Sequence, residues 1–172
     1  MASSFRVLGI DPGSQFTGYG VLETRGTQLV LIEAGCIAPK STLPIAKRLA
    51  AIHAGLVELI ARVAPAHAAV EEVFFAKNVK SAIALGQARG VALAAIAAAG
   101  VEVHEYAATE VKRAVVGTGR AEKEQVAHMV RVLLGAQSAA LRDARLDVTD
   151  ACAIAICHAN TWRMQLRVSG AR

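Results

Sequence analysis

The residues whose types and spacing could do chemistry are acids at the margins of apolar segments. The run Val7-Leu8-Gly9-Ile10 leads directly into Asp11, after which Pro12 and Gly13 stop any regular element and force a turn. His67 to Val73 is a second short apolar segment that ends in acid, at Glu71 and Glu72. Strand alternation lets only one of these two face a common site. Late in the chain, Asp147 and Asp150 stand three apart at the start of a helical pattern, so their carboxylates share one face. Each feature also has a local use, since Asp-Pro-Gly makes ordinary turns and acids in a first helical turn complement the macrodipole. Brought together, however, such carboxylates repel one another unless a cation neutralises them. Hard oxygen ligands select Mg2+, with Mn2+ as its substitute, and two such ions on a phosphate support in-line hydrolysis of a phosphodiester.

The elements that must position these acids follow from periodicity. Strands are expected at Phe5–Ile10, Thr17–Leu22 and Gln28–Ile37, joined by short turns as an antiparallel meander. Leu43–Val63 has apolar residues stepping by three and four, a helix that Pro65 ends. Further expectations are a strand at His67–Val73, a helix at Ser81–Ala99, a strand at Val101–Glu105 and helices at Ala107–Val115 and Glu122–Leu134. Gln137–Arg145 is a polar connection, and the last helix begins at Leu146. The fold class is α/β: a mixed five-stranded sheet, meander first and parallel strands after, flanked by helices. Residues 1–160 form a single domain, and 161–172 a basic, flexible tail. Gly86 and Gly90, followed by Ala94, make a ridge of small residues suited either to packing within the chain or to a subunit seam. The Gly-rich turn Gly117-Thr118-Gly119-Arg120 leads into a helix start near Lys123, a place where backbone N–H groups and cations suit a phosphate or an ordinary loop.

Composition narrows the class. The 172-residue chain has 19 Lys and Arg against 14 Asp and Glu, a net charge of +5 that favours a polyanionic partner. Three scattered cysteines, Cys36, Cys152 and Cys157, offer no disulfide framework and fit a reducing cytoplasm. Cys157-His158 lacks a second Cys/His pair at zinc spacing, so buried hydrophobic cysteines are expected there. No secretory signal pattern is read at the N-terminus, and the most apolar run, Gly90–Val101, is shorter than a bilayer span, so no membrane association is expected.

A set of motifs then goes further than spacing. Gly9-Ile10-Asp11-Pro12-Gly13-Ser14 with Thr17-Gly18-Tyr19-Gly20, Val70-Glu71-Glu72-Val73-Phe74 with Ala76-Lys77-Asn78, and Gly86-Gln87-Ala88-Arg89-Gly90 are three of them. Glu105-Tyr106, Val115-Val116-Gly117, Ala121-Glu122-Lys123 and Asp147-x-x-Asp150-Ala151 complete the set. Together they resemble the RuvC family of bacterial Holliday-junction resolvases over about residues 6–158. The resemblance implies a ribonuclease H-like fold and a homodimer. It implies Mg2+-dependent, paired and symmetric nicking of four-way junction DNA in recombination and repair, leaving 5′-phosphate and 3′-hydroxyl ends. It makes Asp11, Glu71, Asp147 and Asp150 the catalytic metal ligands for two ions per subunit, choosing Glu71 over Glu72. Lys112 and Lys123 correspond to basic residues near the scissile strand and Phe74 to an aromatic that engages junction bases, with Lys77 and Arg120 as further DNA contacts. The RuvA–RuvB branch-migration complex is the implied partner. The Asp-Asp ending is one variant, since some relatives carry His at the first of these two positions. An actin-like nucleotide-binding protein would need a duplicated domain, for which this length leaves no room. A ribonuclease H-like enzyme acting on RNA is separated only by the motif set, and a non-catalytic junction-binding module would not need all four acids.

Overall fold

The computed structural model describes residues 4–72 and 78–170. Val73, Phe74, Phe75, Ala76 and Lys77 therefore lie outside the described residues, and with them the two expected DNA contacts Phe74 and Lys77.

Five strands form one sheet: β1 (Phe5–Asp11), β2 (Thr17–Arg25), β3 (Gln28–Ile37), β4 (His67–Glu71) and β5 (Glu102–Tyr106), in the order β3-β2-β1-β4-β5. The first three pair antiparallel, and β1–β4 and β4–β5 are parallel. This is the expected mixed sheet. β1 is central because Val7, Leu8 and Ile10 are fully buried, and a strand covered on both faces needs apolar residues on both.

Helices α1 (Ile45–Val63) and α2 (Val79–Ala98) cover one face. There Ile52, Leu56, Leu59, Ile60 and Val63 pack with Leu8, Ile10, Ala68, Val70, Ala92, Ala95 and Ile96. Asn78 caps α2 by accepting from the N–H groups of Lys80 (2.9 Å) and Ser81 (3.3 Å), so this helix starts earlier than its alanine run suggests. By length and composition α2 is apolar enough to cross a membrane, which the sequence reading of the shorter run from Gly90 did not register. Its hydropathy is largely alanine, and its buried side is seated on α1 and the sheet.

The other face carries α3 (Ala108–Val116), α4 (Lys123–Leu134) and α5 (Leu146–Gly170). The Gln137–Arg145 connection contains a 3-10 turn, Gly135–Leu141, which buries Leu141. α5 is buried on nearly every side from Val148 to Ala159 and crosses β1, β2 and β4. It does not stop at residue 160, where the sequence places a tail. It runs to Gly170, and Arg163 reaches back to donate to the carbonyls of Thr27 (3.3 Å) and Gln28 (2.7 Å).

Glycines decide how closely α5 docks. A Cβ on Gly9 would meet the Ala151 carbonyl and lie 2.8 Å from the Ala155 nitrogen, and one on Gly20 would lie 2.6 Å from the Cys152 sulfur. On Gly18 it would overlap the Asp147 carbonyl. The motif glycines thus make a bed of bare backbone for a helix of small residues.

Candidate functional site

Asp11 is the last residue of β1, one position beyond the final β1–β4 register pair Ile10↔Val70, and Glu71 is the last residue of β4, one position beyond the same pair. The two acids therefore end adjacent parallel strands at their carboxyl edge, the customary ligand-binding edge of an open α/β sheet. Alternation supplies the facing. Leu8, Ile10, Ala68 and Val70 belong to the α1–α2 core, so the intervening positions, Asp11 and Glu71 included, turn toward α5. Glu72 falls beyond the strand, its N–H donating to the Tyr106 carbonyl at 2.9 Å.

Each carboxylate has its own support. The turn after Asp11 is fixed by buried Thr17, whose hydroxyl donates to the Gly13 carbonyl at 2.8 Å. A Cβ on Gly13 would overlap the Phe16 carbonyl. Arg89 of α2 donates through Nε to the Glu71 carbonyl at 3.1 Å and pairs with Glu105, tying the end of β4 to α2 and β5. Asp147 projects from the first turn of α5 and Asp150 from the start of the second, on a helix that the glycine bed lowers onto β1 and β2. Arg145 lies 3.0 Å from Asp147 Oδ2 and stacks at 3.5 Å on the Phe16 ring, and Lys123 Nζ lies 3.0 Å from Asp150 Oδ2.

Electrostatics show that these acids share one environment. Burial, then the charges of Asp150 and Glu71, with a smaller push from Asp147, raise Asp11 to about 7, against the pull of Lys123. Glu71 is raised by burial and then by Asp150, opposed by Lys123 and Lys112. Burial alone would lower Lys123, but Asp150, Asp11 and Glu71 together outweigh it and raise its pKa. A carboxyl that holds a proton near neutrality beside other acids marks a place short of positive charge, and an all-oxygen donor set of this kind fits a hard divalent cation.

Glu71, Asp150, Lys112 and Lys123 line a cleft of about 160 Å³ between α3, α4 and α5. Arg120 is exposed in the loop entering α4 and does not line it. In that same loop the Glu122 N–H donates to Gln125 Oε1 at 2.8 Å, so one of the backbone donors that the Gly-rich turn was expected to offer is already taken. On the other side of Asp147 a groove is lined by Gly13, Phe16, Arg48 and Lys80. Sequence reasoning missed Arg48, Lys80 and the Arg145–Phe16 stack. The one available signal was an arginine two residues before Asp147.

Comparisons with known proteins agree over the whole domain. The family model described as crossover junction endodeoxyribonuclease RuvC matches residues 7–158. A RuvC of Geobacter sp. (strain M21) is 48% identical over 166 residues, covering 96% of this chain and 99% of its own. One from Acidiphilium cryptum is 50% identical over 166 residues, covering 96% and 97%. Among solved structures, Thermus thermophilus RuvC in complex with a Holliday junction substrate superposes with a TM-score of 0.84 at 39% identity, covering 94% of this chain and 96% of that one. The mixed sheet with its flanking helices is that of the ribonuclease H-like resolvases. With a family match spanning nearly the full domain and relatives near half identity at full length, the chain belongs to the RuvC crossover junction endodeoxyribonucleases.

Proposed function

We propose that this chain resolves four-way DNA junctions as a homodimer, cutting two opposed strands by metal-dependent phosphodiester hydrolysis. The observation that carries the reading is the convergence of Asp11, Glu71, Asp147 and Asp150, from three separate segments, on one sheet edge within a chain of this family. These four would hold two Mg2+ ions, with Mn2+ as a substitute. When bound, the ions supply charge neutralisation and Lewis acidity toward the scissile phosphate.

The chain's own residues divide the remaining work. Loss of the Asp11 proton completes the donor set. Asp147 and Asp150 are held at present by Arg145 and Lys123. With the carboxylates committed to cations, these two side chains would be free to meet phosphate oxygens, as would Lys112 from the cleft wall. Attack by water on phosphorus, breaking the bond to O3′, gives a 5′-phosphate and a 3′-hydroxyl. Arg120, exposed in the loop entering α4, would contact backbone outside the cleft. Phe74 and Lys77 follow Glu71 closely in sequence and are assigned to junction bases and phosphate by the family resemblance.

A two-fold dimer presents the same site twice, which paired cuts of like polarity require. Gly86 and Gly90 support a seam on α2, since an added Cβ at either meets nothing within 4 Å among the described residues outside its own helical turn. A branch-migration complex of the RuvA–RuvB kind is the expected partner, and the cytoplasm the expected compartment.

The test incubates purified protein and Mg2+ with a labelled four-way junction beside duplex DNA, single strands and RNA. Symmetric nicks confined to the junction and lost in Asp11→Asn are expected. Preferential cutting of RNA, or no cutting with either Mg2+ or Mn2+, would sink the proposal.

A further inference from the structure

Twelve or so ångströms along α5 from Asp150, at the helical rise over the eight residues to His158, three imidazoles meet under the same helix. His67 opens β4, His104 lies in the middle of β5 and His158 is fully buried on α5, and their potential ligand atoms all fall within 4.8 Å of one another. His158 Nε2 is 2.9 Å from His67 Nδ1, and His158 Nδ1 is 2.8 Å from the Tyr106 hydroxyl. The His104 and His158 rings approach to 4.3 Å between centroids, and Trp162 packs on His67 at 4.4 Å. Among the described residues, His104 Nε2 is buried without a hydrogen-bond partner, while Glu102 Oε1 stands 3.5 Å away outside bonding geometry. Nothing in the proposed cleavage chemistry uses any of these groups.

Such a cluster is costly unless something satisfies it. A buried polar atom without a partner forfeits its hydration. Burial lowers the pKa of His158 to about 3 and that of His67 below its usual value, so both imidazoles keep their lone pairs at neutral pH. Neutral imidazoles in an aromatic shell are poor hosts for Mg2+, which prefers oxygen and water, and good hosts for a borderline cation.

We propose that His67, His104 and His158 form a structural site for a divalent cation of the zinc class, with the Glu102 carboxylate or a water completing a tetrahedron. Donors about 2.0–2.1 Å from such an ion lie roughly 3.3 Å apart. The rings therefore close inward by side-chain rotation while the 2.9 Å His67–His158 contact opens slightly. The ion joins β4, β5 and α5 and so fixes on the sheet the helix that bears Asp147 and Asp150. It does so at the opposite end of β4 from Glu71, apart from the carboxylates.

The test uses untagged, chelator-stripped full-length protein in excess Mg2+, which occupies the oxygen site. Zn2+ is titrated by calorimetry and thermal melting, and Co2+ by its visible absorption. One equivalent of Zn2+ is expected to bind and raise Tm, and Co2+ to give the intense bands of a tetrahedral nitrogen site. His104→Gln, at a partly exposed strand position, should weaken binding by roughly tenfold or more. A double variant at the exposed histidines His53 and His128, both to Gln, should bind as wild type does. Binding that Mg2+ displaces, that survives His104→Gln, or that disappears in the His53/His128 variant would overturn the proposal. So would no binding of Zn2+ or Co2+ at all. Because the readout is metal binding, none of these outcomes depends on whether the protein cuts junctions.

Discussion

Asp11 and His158 pull the pH dependence of stability in opposite directions, and the wild-type protein averages them. Asp11 has its folded pKa raised from 3.8 to about 7, so its ionised form is penalised in the native state. Its contribution is most favourable below about pH 4 and deteriorates as pH rises through 7, to an upper bound of about 4 kcal/mol of destabilisation. Asp11→Asn should therefore melt several degrees higher than wild type at pH 8 without metal, with the difference vanishing near pH 4. His158 has its folded pKa lowered from 6.5 to about 3, so stability is intact above 6.5 and is lost as pH falls below it, by about 2 kcal/mol at pH 5. Wild type should show a shallow Tm profile between pH 7 and 5, and Asp11→Asn a steep fall on acidification. Parallel profiles would mean that these groups do not titrate as their surroundings dictate. In the proposed metal site the same Asp11 proton would compete with the cation. At limiting Mg2+ cleavage should rise with pH through about 7, and saturating Mg2+ should move that rise to lower pH. A rise that stays fixed whatever the Mg2+ concentration would remove Asp11 from the metal site.

At the scale of elements, the site depends on where α5 lies, and α5 lies where β1 and β2 have no side chains. Gly18→Ala places a methyl group on the Asp147 carbonyl, a backbone atom that can yield only if the first turn of α5 lifts. An overpacking cost of about 1–3 kcal/mol is expected. Cleavage should fall much more than thermal stability explains, since the displaced residues include Asp147 and Asp150. Proportional losses, with activity restored simply by working at lower temperature, would show that the glycine serves stability alone. Arg89 holds the other half of the site by bonding the Glu71 carbonyl and Glu105. That contact gives the motif's Arg89 a positioning role.

At the scale of the molecule, the exposed Gly86 and Gly90 face of α2 is the seam proposed for the dimer. Gly90→Leu should shift the monomer–dimer equilibrium toward monomer in sedimentation velocity while leaving the monomer folded; an unchanged equilibrium would place the dimer seam elsewhere. Much of the fold was readable because its signals are local. The apolar run into Asp11 specifies a central strand, alternation admits only one of Glu71 and Glu72 to the shared face with the family motif choosing Glu71, and the three-residue spacing sets Asp147 and Asp150 on one helical face. The extent of α5 was not readable, because Arg163 and the residues beyond it look like a polar tail until the carbonyls of Thr27 and Gln28 are placed beside them. The same holds for the Arg145–Phe16 stack and for the histidine cluster, whose members at 67, 104 and 158 have no spacing that a sequence pattern would register. The sequence by itself determined which elements form and which acids stand at their ends, because period and turn chemistry act between near neighbours. Only the tertiary structure decided that those acids share one electrostatic environment and that three distant imidazoles meet. Strand order and the depth to which α5 sinks onto bare glycine backbone are set by packing between segments far apart in the chain.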